Sequence, residues 1–203
     1  MKQDQGAPGD RRGASKGASG GNGYRPPYGA AAIAALAVLA LYAWTLAPTT
    51  QFWDTSEYIA TARILGIPHP PGNPLFVVLG RAWDLLLGLV SASPVSAQAD
   101  AAATGPTGLS AAVRINLFSA TMSAMAHGFW FLLAHRILSY YSSSSVFRLV
   151  GAAAATLLSA TAFTVWNQSN VNEKVYTVSL FTIALLSWLA FRWRDRLGEG
   201  KDD

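Results

Sequence analysis

Residues 51–74, QFWDTSEYIATARILGIPHPPGNP, decide how this chain is read. They follow directly on an apolar run long enough to enter a bilayer, and they pack two carboxylates, a histidine, an arginine, a tyrosine and a Pro-Pro-Gly turn into one short stretch. Acidic groups at the mouth of a membrane helix are expensive to hold near lipid, so they ask for a chemical reason. Asp54 and Glu57 lie three apart. If 55–65 is helical, Glu57, Tyr58 and Thr61 share a face with Asp54 at its N-terminal edge, a layout suited to a general base beside a second acid. The alternative for the two acids is purely local, a helix N-cap and a first-turn carboxylate.

Working outward, the chain is that of a membrane protein. Apolar residues make up 51% and charged residues only 13%, with a mean hydropathy of +0.26, unlike an ordinary soluble domain. The absence of cysteine removes disulfides, thiolate catalysis and Cys-based zinc sites. The net charge of +4 does not point to nucleic acid, because the basic residues sit in the N-terminal tail and beside apolar runs, where membrane topology explains them.

Four segments have the length and apolarity of spanning helices: 29–48, 115–135, 149–166 and 175–193. The run 75–90 is shorter. Its Arg81 and Asp84, with Gly80 and Gly88, form a polar or small stripe at helical spacing. Lys2, Arg11, Arg12, Lys16 and Arg25 place the N-terminus inside, and Arg192, Arg194, Arg196 and Lys201 do the same for the C-terminus. Four spans satisfy both tails. The run 75–90 is then a helix lying on the outer surface with its apolar face in the interface.

The resulting fold class is all-α: a multi-pass bundle of four transmembrane helices plus an external juxtamembrane helix. The domains are a Gly/Ser/Pro-rich cytoplasmic tail over 1–28, too polar for a signal peptide, a membrane domain over 29–193 and a cytoplasmic tail over 194–203. Residues 91–111 read as a low-complexity loop.

The second external segment lies within WNQSNVNEKVY, 166–176. It puts Glu173 and Lys174 on the same side as Asp54, and Asn167-Gln168-Ser169 matches a glycosylation acceptor pattern. Inside the spans, Asn116, Ser119, Ser123 and His127 share a face that should turn toward other helices, with His127 a hydrogen-bonded bundle residue. Gly151, Ala155 and Ser159 form a small-residue ridge for close packing. The three histidines show no metal-ligand spacing among themselves, and His135 should lie at the opposite membrane face from His69. No phosphate-loop or dinucleotide glycine pattern occurs.

The order T-L-A-P-T, F-W-D-x-x-E-Y, L-G-I-P-H-P-P-G-N-P-L-F, then R-I-N-L-F-S at 114–119 and N-E-K-V-Y-T at 172–177, resembles the N-terminal part of the protein O-mannosyltransferase-like membrane family. This is a bacterial family with vertebrate relatives, and the resemblance covers roughly 30–193. It implies a GT-C glycosyltransferase fold, in which an acidic first external loop meets a polyprenyl-phosphate sugar donor, mannose being the first candidate sugar. By the same resemblance Asp54 matches the catalytic base, Glu57 its acidic companion, His69 to Gly72 the following turn, and Glu173 the acid of the second external loop. Transfer from a phosphate-linked sugar also needs cations at the departing phosphate. Arg63, Arg81, Arg114 and Lys174 are the external candidates, with His69 and Glu173 completing the substrate-binding set; a divalent metal is conceivable, though no metal ligands are assigned. Expected partners are membrane lipid and, because relatives have many more spans, a second polypeptide supplying further helices. Two other classes compete. A transporter component would favour helices broken near the midplane, and no span is interrupted by proline. A non-catalytic or truncated membrane subunit would keep the fold without the chemistry.

Overall fold

A computed structural model describes residues 24–50, 54–89, 109–171 and 175–198. The described residues are helical and contain no strand. They form α1 (Tyr28–Trp44), α2 (Thr55–Ile64), α3 (Pro74–Leu89), α4 (Ala111–Leu138), α5 (Ser145–Thr161), α6 (Phe163–Asn170) and α7 (Tyr176–Gly198). Residues 1–23 of the tail expected over 1–28, and 91–108 of the loop expected over 91–111, lie outside the described residues.

The longest helix, α4, is the axis of the bundle. Its 28 residues extend about 42 Å at 1.5 Å per residue, enough to cross a hydrocarbon core of about 30 Å. Ser110 starts it by accepting a hydrogen bond from the Val113 amide at 3.2 Å. Around α4 pack α1, α5 and α7, with α2 and α3 against its N-terminal half. The expected polar face turns inward: Asn116, Ser119, Ser123 and His127 are fully buried. His127 bonds the Ser123 carbonyl through Nδ1 at 2.7 Å and the Ser159 hydroxyl through Nε2 at 3.2 Å. Polar groups on lipid-embedded helices are stable when they bond across the bundle, and these do.

Among the described residues α4 and α7 are long and apolar enough to span a membrane, and α5 with α6 makes a third span if the pair is one broken helix. The apolar α1 has 17 residues, slightly short of the 29–48 expectation. The chain is therefore an integral membrane protein. α7 runs to Gly198, past the expected boundary at 193.

The span expected over 149–166 is not straight. It bends by 66° between α5 and α6, without a proline. Ala162 takes ψ 128°, ends α5 and opens α6. The break frees the Ala160 carbonyl, which would otherwise accept from the backbone four residues on, and the buried Tyr42 hydroxyl donates to it at 2.9 Å. A freed backbone group in a lipid setting must find such a partner. Of the expected ridge on α5, Gly151 and Ser159 face α4 while Ala155 is exposed, and Ala152, Thr156 and Ala160 are the buried residues. At Gly151 an added Cβ would stand 2.6 Å from Leu138 Cδ1.

α3 is the separate helix expected at 75–90. Phe76, Val77, Gly80 and Asp84 face inward, whereas Leu75, Val78, Leu85 and Leu86 are exposed. Gly80 and Asp84 of the polar or small stripe thus lie on the packed side together with Phe76 and Val77, and a second apolar face is left outward.

Candidate active site

α2 and the turn behind it build the site. Asp54 occupies the N-cap position of α2, yet its side chain makes no capping hydrogen bond, so helix capping does not account for it. Glu57 stands one turn on. α2 ends at Leu65 in the left-handed conformation, with φ 55°, and the chain doubles back through Pro68. This brings the His69 amide to Glu57 Oε1 at 2.6 Å and the His69 ring Nδ1 to Glu57 Oε2 at 2.7 Å. His69 Nε2 points to Asp54 Oδ2 at 3.7 Å. The turn closes with the Gly72 amide donating to the His69 carbonyl at 2.9 Å. Gly72 has φ 82°, a conformation that suits glycine. Asn73 Nδ2 then donates to the Tyr58 hydroxyl at 2.5 Å.

Beneath this rim the packing is aromatic. Tyr58 meets Phe76 edge-on at 5.5 Å and Phe76 meets Phe118 at 5.7 Å, carrying the position of α2 through α3 into α4. Glu57 lies at the half-exposed edge while Tyr58 and Thr61 are buried. The hydrogen bonds from His69, ring first and then backbone, hold the Glu57 carboxyl below its usual value.

Potential ligand atoms of Asp54, Glu57 and His69 lie within 4.8 Å of one another, a grouping that can hold a metal ion. The histidines lack ligand spacing among themselves, but the turn supplies His69 with two carboxylates that spacing alone does not reveal. His135 does sit at the other end of the bundle, beside Tyr24.

The candidate cations are placed differently. Arg63 is in the last turn of α2. Arg81 and Arg114 converge on Asp84, at 3.3 Å and 2.8 Å, and the Arg114 and Asp84 side chains are almost fully buried. This pair locks α3 to α4. Glu173 and Lys174 lie outside the described residues. Ser169 is buried in α6 and donates to Ser123 Oγ at 2.7 Å, so the glycosylation tripeptide is folded into the bundle.

The same end of the bundle holds two further features. Asn116 Nδ2 donates to the Ala47 carbonyl at 3.0 Å, and the Asn170 carbonyl accepts from the Ala47 amide at 3.2 Å. The exit of α1 toward Asp54 is thereby tied to α4 and α6. Between α6 and α7 opens a cavity of about 390 Å³ whose walls include Val165, Leu180, Thr164 and Thr177.

These features belong to a membrane protein with an acid–histidine cluster at one end of its bundle. Residues 54–203 match the family model described as the protein O-mannosyl-transferase TMEM260 N-terminal domain. The chain belongs to this family. It is 28% identical over 162 residues to mouse (Mus musculus) protein O-mannosyl-transferase TMEM260, a match covering 78% of this chain and 18% of the relative's length. No solved structure matches.

Proposed function

We propose that this chain forms the acidic loop and first helices of a GT-C glycosyltransferase that moves a sugar, mannose by preference, from a polyprenyl phosphate to a protein or glycan hydroxyl. The supporting observation is Asp54: a partly exposed carboxylate, not used as a helix cap, beside a histidine that Glu57 holds in place. In this reading Asp54 takes the proton from the acceptor hydroxyl as that oxygen bonds the sugar C1 and the C1–phosphate oxygen bond breaks. The polyprenyl phosphate leaves with the electron pair, toward Arg63, with Arg81 and Lys174 as further candidates. Arg114, already neutralised by Asp84, serves the fold. Asp54, Glu57 and His69 are also the residues that would hold a divalent cation, which would add positive charge at the departing phosphate. The cavity beside α6 offers hydrocarbon walls to the donor's chain. The reading places the cluster on the outer face of the cytoplasmic membrane and both termini inside.

The match covers a minor part of the mouse relative, so the assay is run in membranes holding this chain together with any polypeptide that supplies further helices. Asp54→Asn keeps the side-chain shape and removes the base; transfer from a lipid-phosphate donor should fall by about 10²-fold or more, with protein level and insertion unchanged. Transfer that survives the substitution would remove Asp54 from the mechanism.

One observation favours a second reading, a component that handles lipid substrate without group transfer: the 66° break beside the cavity. Translocation of the lipid phosphate that persists in Asp54→Asn, with no sugar transfer in the wild type, would select it.

A further inference from the structure

At the end of the bundle away from Asp54, three helices bring arginines together beside a tyrosine. Arg136 closes α4, Arg148 opens α5, Arg192 lies in the last turns of α7, and Tyr24 precedes α1. Arg136 pairs with the buried Asp195 at 2.6 Å, and Arg192 reaches the same carboxylate at 3.7 Å. The Arg136 guanidinium stacks over the Tyr24 ring at 4.4 Å, and the Tyr24 hydroxyl bonds His135 Nδ1 at 2.8 Å. Arg148 stands at this end too, because its sequence neighbour Leu149 packs against the same apolar cluster as Tyr24 and as Phe191, the neighbour of Arg192. Among the described residues it has no carboxylate partner, and its Nε is buried without a hydrogen bond.

The charges do not balance. Two guanidiniums share the Asp195 carboxylate, and Arg148 stands at the same end without one. Tyr24 cannot supply a second anion, because burial pushes its phenol up to about 12 against the pull of Arg136 and Arg148. Around the cluster, Tyr140, Tyr141 and Trp193 are exposed. Exposed aromatic rings at the ends of apolar helices mark the depth of lipid headgroups, and planar guanidiniums match phosphate oxygens two at a time.

We infer that Arg148 and Arg192, organised by the Arg136–Asp195 pair, bind the phosphate of an anionic membrane lipid headgroup. The site supplies the missing negative charge at the depth where lipid phosphates stand, between helix ends, as basic pockets do. It is independent of the glycosyl-transfer reading.

The test is native mass spectrometry of the full chain in micelles containing phosphatidylglycerol and phosphatidylcholine. The wild type should retain phosphatidylglycerol in preference to phosphatidylcholine by about tenfold, the scale of one charge-assisted contact pair. Arg148→Gln, which leaves the Asp195 pairs untouched, should lower that retention by a similar factor. Arg196→Gln, an exposed charge on the same helix end, should not. Equal retention of both lipids by the wild type overturns the proposal whether or not any variant folds. So does an equal loss in Arg196→Gln, which would reveal general attraction only. Displacement by millimolar inorganic phosphate would make the site one for free phosphate and would also overturn it.

Discussion

Glu57 clasps His69 at two points, one carboxylate oxygen on the backbone amide at 2.6 Å and the other on ring Nδ1 at 2.7 Å. One side chain thus fixes both the path of the turn after α2 and the orientation of the imidazole. With Nδ1 donating to Glu57, Nε2 is left facing Asp54. Asp54 therefore depends on Glu57 for its neighbour, although the two carboxylates need not touch.

The clasp should respond to acid with a definite sign. His69 lowers the Glu57 carboxyl from its usual 4.5, so the interaction is fully present above that value and is lost as pH falls through the lowered one. Hydrogen exchange at the His69 amide, corrected for intrinsic rate, should stay protected from neutral pH into the ordinary glutamate range and open below it. Glu57→Gln should open it at every pH. Protection that persists in Glu57→Gln would show that the turn holds itself.

Asp84 and Arg114 make the case for a fold-holding ion pair. Asp84→Asn leaves a buried guanidinium without its anion and should destabilise the bundle by about 3–5 kcal/mol. Replacing both partners by apolar residues, Asp84→Leu with Arg114→Met, should recover most of that. Denaturant titration in micelles reads both. A loss below about 1 kcal/mol in Asp84→Asn would mean that the pair is effectively solvated.

Tyr42→Phe removes one hydroxyl and leaves the Ala160 carbonyl without its donor. The expected loss is about 1–2 kcal/mol, the scale of a buried acceptor left unsatisfied. Tyr28→Phe, at an exposed position, is the control and should be neutral. Equal stability of the two variants would show that the carbonyl finds another partner.

How much of this was legible in the sequence depends on the range of the contact. The buried face of α4 was, because Asn116, Ser119, Ser123 and His127 repeat at helical spacing on one helix. So were α3 as a separate helix and Asp54 at the start of α2 with Glu57 in its first turn. The carriers of longer contacts were not. Asp84 and Arg114 lie on different helices, and no local pattern announces that they meet. His69 joins Asp54 and Glu57 through the reversal after Leu65, which converts a lone histidine into the centre of a cluster. The break at Ala162 carries no proline or glycine; its partner is a tyrosine on another helix, 118 residues away. Of the ridge on α5, Gly151 and Ser159 do meet α4 but Ala155 is exposed, because residue size alone does not fix which side of a helix is buried.

The bend at Ala162 differs in kind from one imposed by proline. A proline kink is written into its own helix and travels with it. Here the helix is locally capable of running straight, and what offsets the open carbonyl is a hydroxyl borrowed from α1. The shape of the α5–α6 pair is therefore conditional on its neighbour. If α1 slid or withdrew, Ala160 would be left to reclaim its own backbone partner, and the segment carrying Trp166 to Asn170 would swing with it. α1 acts as a latch on the geometry of the α5–α6 pair.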